Sequence, residues 1–395
     1  MDSSARALTA ALVLLAVVAV PFLVSGPGND LDVANVFRSG RSIARHADYV
    51  PSRAPGSPVH ETIVGALDLV GGPLLTNLAS LLAAAFLLLG LDRLLRREGV
   101  GPGGRWAVLL VAANPWFVIA ATSTADYLFA LLFVVYAALA LRSGRPVAAG
   151  VFAALSMGTR IGSGALLVAL FVAELTERRA DEPSPDGRPA AVRRVGIAAA
   201  VAGVLTVVLF VPAYLAAGGL SFAENDFSTS SPLVQLGRAL VKDLTLLGPV
   251  ATVVLLLAVP ALVAALRRWA TSWLVRFATV GLVLSQILFV RFPWKLPHLL
   301  PTLVCLAILL AVALEDRARL LVALVVLQLV SCVIRVDVVR PDNPNEATGG
   351  RPTLGVGWGP VVTDWQCRRE HPRAYLGRQK VEVEAAWDCA KPFGG

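Results

Sequence analysis

Three acidic side chains beside long apolar stretches are the strongest candidates for chemistry in this sequence. Asp30 and Asp32 lie in the polar segment 25–61, and Asp126 directly precedes the apolar run that starts at Tyr127. A charged side chain at a membrane boundary costs free energy unless it has a partner or a function. Each carboxylate alone also fits a helix N-cap. Because they occur in neighbouring polar loops, we interpret them together as groups that take a proton from a hydroxyl acceptor.

Basic side chains near the same boundary are candidates for holding a phosphate on a leaving group. They are Arg53, Arg160, Arg291, Lys295 and His298. The last three are interleaved with aromatic residues, and that segment also fits simple interfacial anchoring. At the end of the loop 25–61, Tyr49, His60 and Glu61 are candidate contacts to the acceptor.

Cysteine positions differ between the apolar and polar parts of the chain. Cys305 and Cys332 lie within apolar stretches, where a lone thiol behaves as a small apolar residue. Cys367 and Cys389 lie in the polar C-terminal segment, and we expect a disulfide between them in an oxidising compartment. The four histidines are scattered, and the sequence contains no Cys-x-x-Cys pair, no phosphate-binding Gly-rich loop and no Gly-x-Ser-x-Gly elbow. We assign no metal site; a divalent-metal requirement stays open.

The composition determines the class of protein that must position these residues. Hydrophobic residues make up 56% of the 395 positions, charged residues 16%, and the mean hydropathy is +0.70. The apolar residues come in blocks long enough to cross about 30 Å of hydrocarbon as helices. They show no two-residue alternation, so a β-barrel is not indicated. The net charge of +8 comes from Arg in short loops, which indicates positive-inside topology rather than nucleic-acid binding.

The sequence therefore predicts an all-α polytopic membrane protein with about eleven spans, since each apolar block is read as a crossing. We place the spans near 8–24, 74–91, 106–120, 127–141, two short helices within 146–174, 195–217, 244–266, 273–290, 297–314 and 319–336. The first span is read as an uncleaved anchor. Arg-rich loops, including the linker 175–194, place the N-terminus in the cytoplasm and the C-terminus outside. The transmembrane part covers 1–336, with an interfacial helix in its outer loop 25–61, and a small outer tail covers 337–395.

The order of these features resembles the GT-C superfamily of polytopic glycosyltransferases, in particular bacterial enzymes akin to protein mannosyltransferases and lipopolysaccharide-core glycosyltransferases. In that family a first helix is followed by an outer loop with an early Asp, an acidic residue or Gly before Tyr, and a Pro-rich turn. A second outer loop has an Asp that opens a helix. The matching residues here are Asp32, Asp48-Tyr49, Pro55 to Pro58, Asn114-Pro115-Trp116, Asp126-Tyr127, Arg160 and 291–297.

The resemblance implies transfer of a sugar from a polyprenyl-phosphate carrier to an envelope glycan, lipid or protein hydroxyl, by single displacement. This would occur on the outer face of a bacterial cytoplasmic membrane. It implies that Asp32 is the base, that Asp126 orients donor or acceptor, and that Arg160 and Lys295 contact the phosphate. Where the family has an Asp-Glu pair this chain has Asp32-Val33, so Asp30 is an alternative base.

Two other functions fit part of the same pattern. A transporter or flippase of a lipid-linked substrate would use the Gly-rich break and the basic cluster to move its cargo. A non-catalytic envelope scaffold would use the outer tail to recruit a partner. The polar features are concentrated on one side of the predicted bundle, with few ionisable residues inside the spans, which favours glycosyl transfer over transport.

Overall fold

The computed structural model describes residues 3–177, 187–219, 231–339, 353–374 and 380–390, and most of these residues are helical. The helices are α1 (Ser3–Leu23), α2 (Leu31–His46), α3 (Pro58–Arg97), α4 (Trp106–Ala113), α5 (Pro115–Ala121), α6 (Tyr127–Arg142), α7 (Pro146–Thr159), α8 (Gly164–Leu175), α9 (Gly187–Ala217), α10 (Pro232–Leu247), α11 (Pro249–Leu256), α12 (Val259–Leu266), α13 (Trp273–Arg291), α14 (Leu300–Ala313), α15 (Ala318–Val333), α16 (Pro360–Glu370) and α17 (Lys380–Ala390). Much of the predicted linker 175–194 lies outside the described residues.

Several of these helices are long and apolar enough to cross a membrane. Within the described residues they are α1, α3, α9, α13 and the segment Leu296–Ala313. Helices α10 and α11 together make one further candidate, bent by 88° at the break between them. Shorter apolar helices are α6, α7, α15 and the segment Ile161–Leu175. The chain is therefore a predominantly helical, multi-pass membrane protein, as predicted, while the count of eleven spans and the orientation of the termini stay predictions.

Helix breaks occur at residues whose backbone interrupts the helical hydrogen bonds. Helix α3 is kinked at Gly71 and Gly72, directly before Pro73, and the φ of 59° at Gly72 suits a residue without a Cβ. Gly248, at φ 81°, separates α10 from α11. Arg160 is extended and separates α7 from α8, which confirms the predicted pair of short helices at this point.

The span predicted at 106–120 is broken in the structure by a buried amide pair. Asn114 caps α5 by accepting hydrogen bonds from two backbone N–H groups at 3.0 and 3.3 Å. Its Nδ2 donates to the carbonyl oxygen of Leu246 at 2.8 Å and to Oε1 of Gln328 at 2.9 Å. The Nε2 of Gln328 donates to Leu247 at 2.6 Å. Because a buried amide must find partners for its polar atoms, this pair fixes α5, α10 and α15 relative to one another.

The described residues of the C-terminal tail form a strand pair and two helices that follow the end of α15. Strands β1 (Ile334–Val339) and β2 (Thr353–Trp358) form an antiparallel pair in which Ile334 lies opposite Trp358. Helix α16 follows directly, and a disulfide between Cys367 and Cys389 joins it to α17. Strand β1 begins directly after α15, and the domain boundary at 337 stays a prediction.

Helix α2 is the predicted amphipathic helix of the first loop. Asp30 is its N-cap, and the carboxylate Oδ1 accepts the backbone N–H of Asp32 at 2.8 Å. Val33, Val36 and Phe37 lie on one face and are buried against α3. Burial of this stripe holds α2 along the bundle, with both carboxylates at its first turn.

Two glycines allow the backbones of α2 and α3 to approach closely. A Cβ added at Gly40 would lie 2.7 Å from the backbone nitrogen of Gly65, and a Cβ at Gly65 would collide with the carbonyl oxygen of Gly40. Neither obstacle is a flexible side chain, so a larger residue must push the helices apart. The position of Asp30 and Asp32 therefore depends on this contact.

We expect Gly65→Ala to destabilise the protein by about 1–3 kcal/mol because the added methyl group overpacks the α2–α3 contact. Thermal unfolding in detergent measures the effect. Gly203→Ala on α9 is the matched control, since a Cβ there meets nothing within 4 Å. Equal melting temperatures for the two variants would show that the close approach is not needed.

Candidate active site

Six charged side chains from five parts of the chain form a row in which acids and cations alternate, called the charged row below. In order of contact they are Asp30, Lys295, Asp32, Arg53, Asp126 and Arg160. The acids come from the start of α2 and from the residue before α6. The cations come from the α2–α3 loop, the α7–α8 break and the turn before α14. Three negative and three positive charges cancel, which lets ionised groups lie together with little exposure.

Asp126 is the most buried acid of the charged row, at 3% exposure. Arg160 donates from Nη1 to its Oδ1 at 3.0 Å and to its Oδ2 at 3.3 Å, and Arg53 donates from Nη2 to Oδ2. The hydroxyl of Ser57 lies 3.4 Å from the same oxygen. Asp126 stands at the N-cap position of α6, but its side chain makes no capping hydrogen bond. The carboxylate therefore serves the charged row and not the helix end.

Asp32 lies between two cations that use the same carboxylate oxygen. Lys295 Nζ donates to Oδ2 at 2.9 Å, and Arg53 Nη1 donates to Oδ2 at 3.0 Å. Among the described residues nothing donates to the other oxygen, Oδ1, and about a quarter of the side chain is exposed. Lys295 Nζ also donates to Oδ1 of Asp30 at 2.5 Å. Asp32 thus has an oxygen free to accept a proton while its charge is held in place.

The charged row shifts the pKa values of its members in different directions. Burial raises the pKa of Asp30, and the charge of Lys295 offsets this only in part. Burial would also raise the pKa of Asp32, but Arg53 and Lys295 outweigh it and lower the value to about 2. For Asp126, burial is likewise outweighed by its two guanidinium partners, which hold the pKa well below the usual range. Asp30 is the most basic of the three carboxylates before a ligand binds.

The loop that carries Arg53 is braced by Glu61. The hydroxyl of Tyr49 donates to Glu61 Oε2 at 2.6 Å, and the backbone N–H of Ser52 donates to Oε1 at 2.8 Å. Burial and the neighbouring carboxylate raise the pKa of Tyr49, so its hydroxyl stays a donor. Glu61 has no exposed surface and uses both oxygens within the protein. The expected acceptor contact of Glu61 is therefore corrected to a structural hydrogen bond, while an acceptor contact of the partly exposed Tyr49 stays a prediction.

Two other residues predicted to contact the substrate, His60 and Arg291, are not members of the charged row. His60 has no exposed surface, and its ring lies 5.2 Å from the ring of Phe129, which places it in the packing between α3 and α6. Arg291 is exposed at the end of α13, with its guanidinium 5.5 Å from the ring of Phe292. No contact within the described residues joins Arg291 to the charged row. This position favours interfacial anchoring for Arg291 over phosphate binding.

Two tilted rings, of Tyr127 and His298, border the charged row at Arg160. The guanidinium lies 4.3 Å from the ring centre of Tyr127, and the Tyr127 ring lies 5.7 Å from the ring of His298. The Tyr127 hydroxyl is buried and has no partner among the described residues. A buried donor without a partner is available to an oxygen of a ligand. Sequence reasoning gave this tyrosine no role, although its position directly after Asp126 was a signal for one.

An apolar cavity of about 760 Å³ opens beside the loop that carries Arg53. Its lining comes from α2, α3, α6, α7 and α9 and includes Ile43, Val59, Phe133 and Leu209. The lining also includes the Asp48–Tyr49 pair, which directly precedes the braced part of the loop. A lipid hydrocarbon chain fits such a lining, since apolar surface there is removed from water.

Comparison with known proteins identifies the fold. No protein-family model and no curated protein matches the chain. Among the solved structures that match, two have TM-scores above 0.5, and they show that this chain has the fold of ArnT. The resemblance named from the sequence is confirmed at the level of the fold.

These two structures are both of ArnT from Cupriavidus metallidurans. The apo form is 20% identical, with a TM-score of 0.52, over 77% of this chain and 59% of that chain. The form bound to undecaprenyl phosphate is 16% identical, with a TM-score of 0.55, over 96% of this chain and 74% of that one. The chain thus spans 59 to 74% of the length of ArnT.

Removal of Arg53 leaves two carboxylates of the charged row short of a cation. We expect Arg53→Gln to lower the free energy of unfolding by about 3–5 kcal/mol, because an uncompensated buried charge remains. The double variant Arg53→Gln/Asp126→Asn should lose less free energy of unfolding than the two single variants lose together. The expected difference is about 0.5–3 kcal/mol. Chemical unfolding in detergent measures this cycle. Exposed Arg38, changed to Gln, is the control, and strict additivity would contradict the pairing.

The lowered pKa of Asp32 predicts the pH range in which its ion pairs stabilise the protein. The contribution is complete above the unfolded value of 3.8 and is lost as the pH falls toward about 2. Melting temperatures recorded from neutral to acidic pH should therefore fall less steeply below pH 3.8 in Asp32→Asn than in the wild type. Parallel curves would mean that Asp32 titrates normally.

Proposed function

We propose that this protein is an integral membrane glycosyltransferase that moves a sugar from a polyprenyl-phosphate carrier to an acceptor hydroxyl. The observation that supports this most is the charged row, in which three cations and three carboxylates meet. The loop that carries Arg53 also contributes Asp48 and Tyr49 to the lining of an apolar cavity. The GT-C fold and the undecaprenyl phosphate in one ArnT structure are consistent with a lipid phosphate as part of the donor.

The donor has two chemically different parts, and the proposal gives each its own region. The phosphate lies at Arg53, Arg160 and Lys295, whose charges meet the negative charge that develops on the leaving oxygen. The isoprenoid chain lies in the apolar cavity, where packing contacts hold it, because a chain that comes from the bilayer is not released from water. The Tyr127 hydroxyl is placed to donate to a phosphate or sugar oxygen.

The reaction is a single displacement at the anomeric carbon. The acceptor oxygen gives its proton to a carboxylate and forms the new bond to carbon. The bond between that carbon and the phosphate oxygen breaks, and its electron pair stays on the phosphate. Attack from the side opposite to the leaving group inverts the anomeric configuration.

Asp32 acts as the base in this proposal because it has a free oxygen next to the phosphate cations. Its pKa of about 2 makes it a weak base in the empty site. A bound phosphate shares the charges of Arg53 and Lys295, so less positive charge acts on Asp32 and its pKa rises. Binding of the donor thereby prepares the base. Asp30, with its raised pKa, is the alternative.

The proposed location is a bacterial cytoplasmic membrane, with the charged row on the outer side. The disulfide between Cys367 and Cys389 lies in the tail that packs near the charged row and suits an oxidising compartment. The acceptor is proposed only as an envelope hydroxyl.

Asp32→Asn should lower transfer by about 100- to 10,000-fold while undecaprenyl phosphate still binds, because the amide keeps the size but cannot take a proton. The assay combines purified protein in nanodiscs with a radiolabelled polyprenyl-phosphate sugar and an envelope extract. Exposed Asp316, changed to Asn, is the matched control.

The same assay separates the alternatives. Full transfer by Asp32→Asn together with loss in Asp30→Asn would move the base to Asp30. Movement of the labelled lipid across the bilayer without transfer would favour a transporter. If the wild type neither transfers the sugar nor moves the lipid, with any acceptor fraction, the enzyme proposal is refuted.

A further inference from the structure

Helix α16 is bound to the loop that carries Asp126. Arg368 is almost fully buried, and its Nη1 donates to the carbonyl oxygen of Thr122 at 2.6 Å. Its Nη2 donates to the hydroxyl of Ser123 at 2.6 Å. The guanidinium also lies 5.0 Å from the ring of Phe22 at the end of α1. These contacts fix α16 to the loop just before Asp126.

The same helix is bound to the turn that carries Asp30. The Nδ2 of Asn29 donates to Asp364 at both its carbonyl oxygen and Oδ1, each at 2.9 Å. Asp364 in turn pairs with Arg368 at 2.6 Å. One buried ion pair on α16 therefore joins the two loops that hold the acids of the charged row.

Helix α17 reaches the charged row from the other side of the disulfide. Trp387 lies two positions before Cys389, and its ring centre is 5.1 Å from Lys295 Nζ. The side chain of Lys295 is only 12% exposed. An aromatic face at this distance attracts the ammonium and keeps water away from it.

We propose that α16 and α17, joined by the disulfide and called the C-terminal cap, are part of the donor site, with Trp387 as a positioning residue for Lys295. This rests on the proposed function, in which Lys295 meets the phosphate of the donor. A cation shielded from water attracts a phosphate more strongly and is less screened by salt. The disulfide holds Trp387 in place, while Arg368 and Asp364 hold α16 on the acid-bearing loops.

The test measures binding of undecaprenyl phosphate to the full-length protein in nanodiscs at low and high salt. We expect Trp387→Ala and the double variant Cys367→Ser/Cys389→Ser to bind about tenfold more weakly, with a steeper dependence on salt. Trp387→Phe should restore most of the affinity, because it returns an aromatic face to Lys295. Trp358→Ala is the matched control, since Trp358 is 61% exposed on β2.

The outcomes separate this proposal from the proposed function. Wild-type affinity and salt dependence in both Trp387→Ala and the double Ser variant would overturn the role of the cap and leave the enzyme proposal standing. Absence of binding by the wild type would overturn both proposals. If Trp387→Ala does not fold, the double Ser variant supplies the same two results.

Discussion

Charge compensation among side chains that are largely shielded from water is the constraint on which the rest of this structure depends. An ion taken out of water loses several kcal/mol of solvation, and a partner recovers that loss only at hydrogen-bond distance. In the charged row each inner member has two partners of opposite sign, and only Asp30 and Arg160 stand at the ends. An anion that enters such a neutral row changes the balance for every member. This is how the binding of a phosphate and the basicity of a carboxylate become linked.

The helices around the charged row hold its members by contacts that are not themselves charged. Gly40 and Gly65 set the distance between α2 and α3. Glu61 holds the loop of Arg53 through one hydroxyl and one backbone N–H. Asn114 and Gln328 fix α5, the helix before the Asp126 loop. A rigid frame of this kind is what a site needs if its charged groups are to keep their geometry without a ligand.

Much of the charged row could be predicted from the sequence because its residues stand at the ends of apolar runs. The charges of Asp32, Asp126 and Lys295 cost free energy at such positions, and this cost predicts that each has a partner of opposite charge. Arg53 was a candidate because it is a basic residue near the same boundary, and the structure gives it two carboxylate partners. Burial could not be predicted, so His60 and Glu61 were assigned to an acceptor. The breaks at Asn114 and Gly248 show why span counting is uncertain: an apolar run does not reveal where a helix turns.

The contacts of the tail were beyond sequence reasoning for a different reason. Arg368 binds residues 245 and 246 positions earlier in the chain, and no local pattern indicates a pairing over that distance. In a polar tail, a buried Arg looks the same as a solvated one. The disulfide could be predicted from the sequence because two cysteines in a polar segment have few other roles.

The spread of the charged row along the chain also has a consequence for biogenesis. Asp30 leaves the ribosome long before Lys295, which pairs with it, and before Trp387, which covers that lysine. During most of translation the first acidic turn therefore has no cation from the later helices and must stay hydrated at the membrane surface. Maturation of the site is thus a late event, completed only when the last helices have been inserted and the tail has folded back onto the earliest loop.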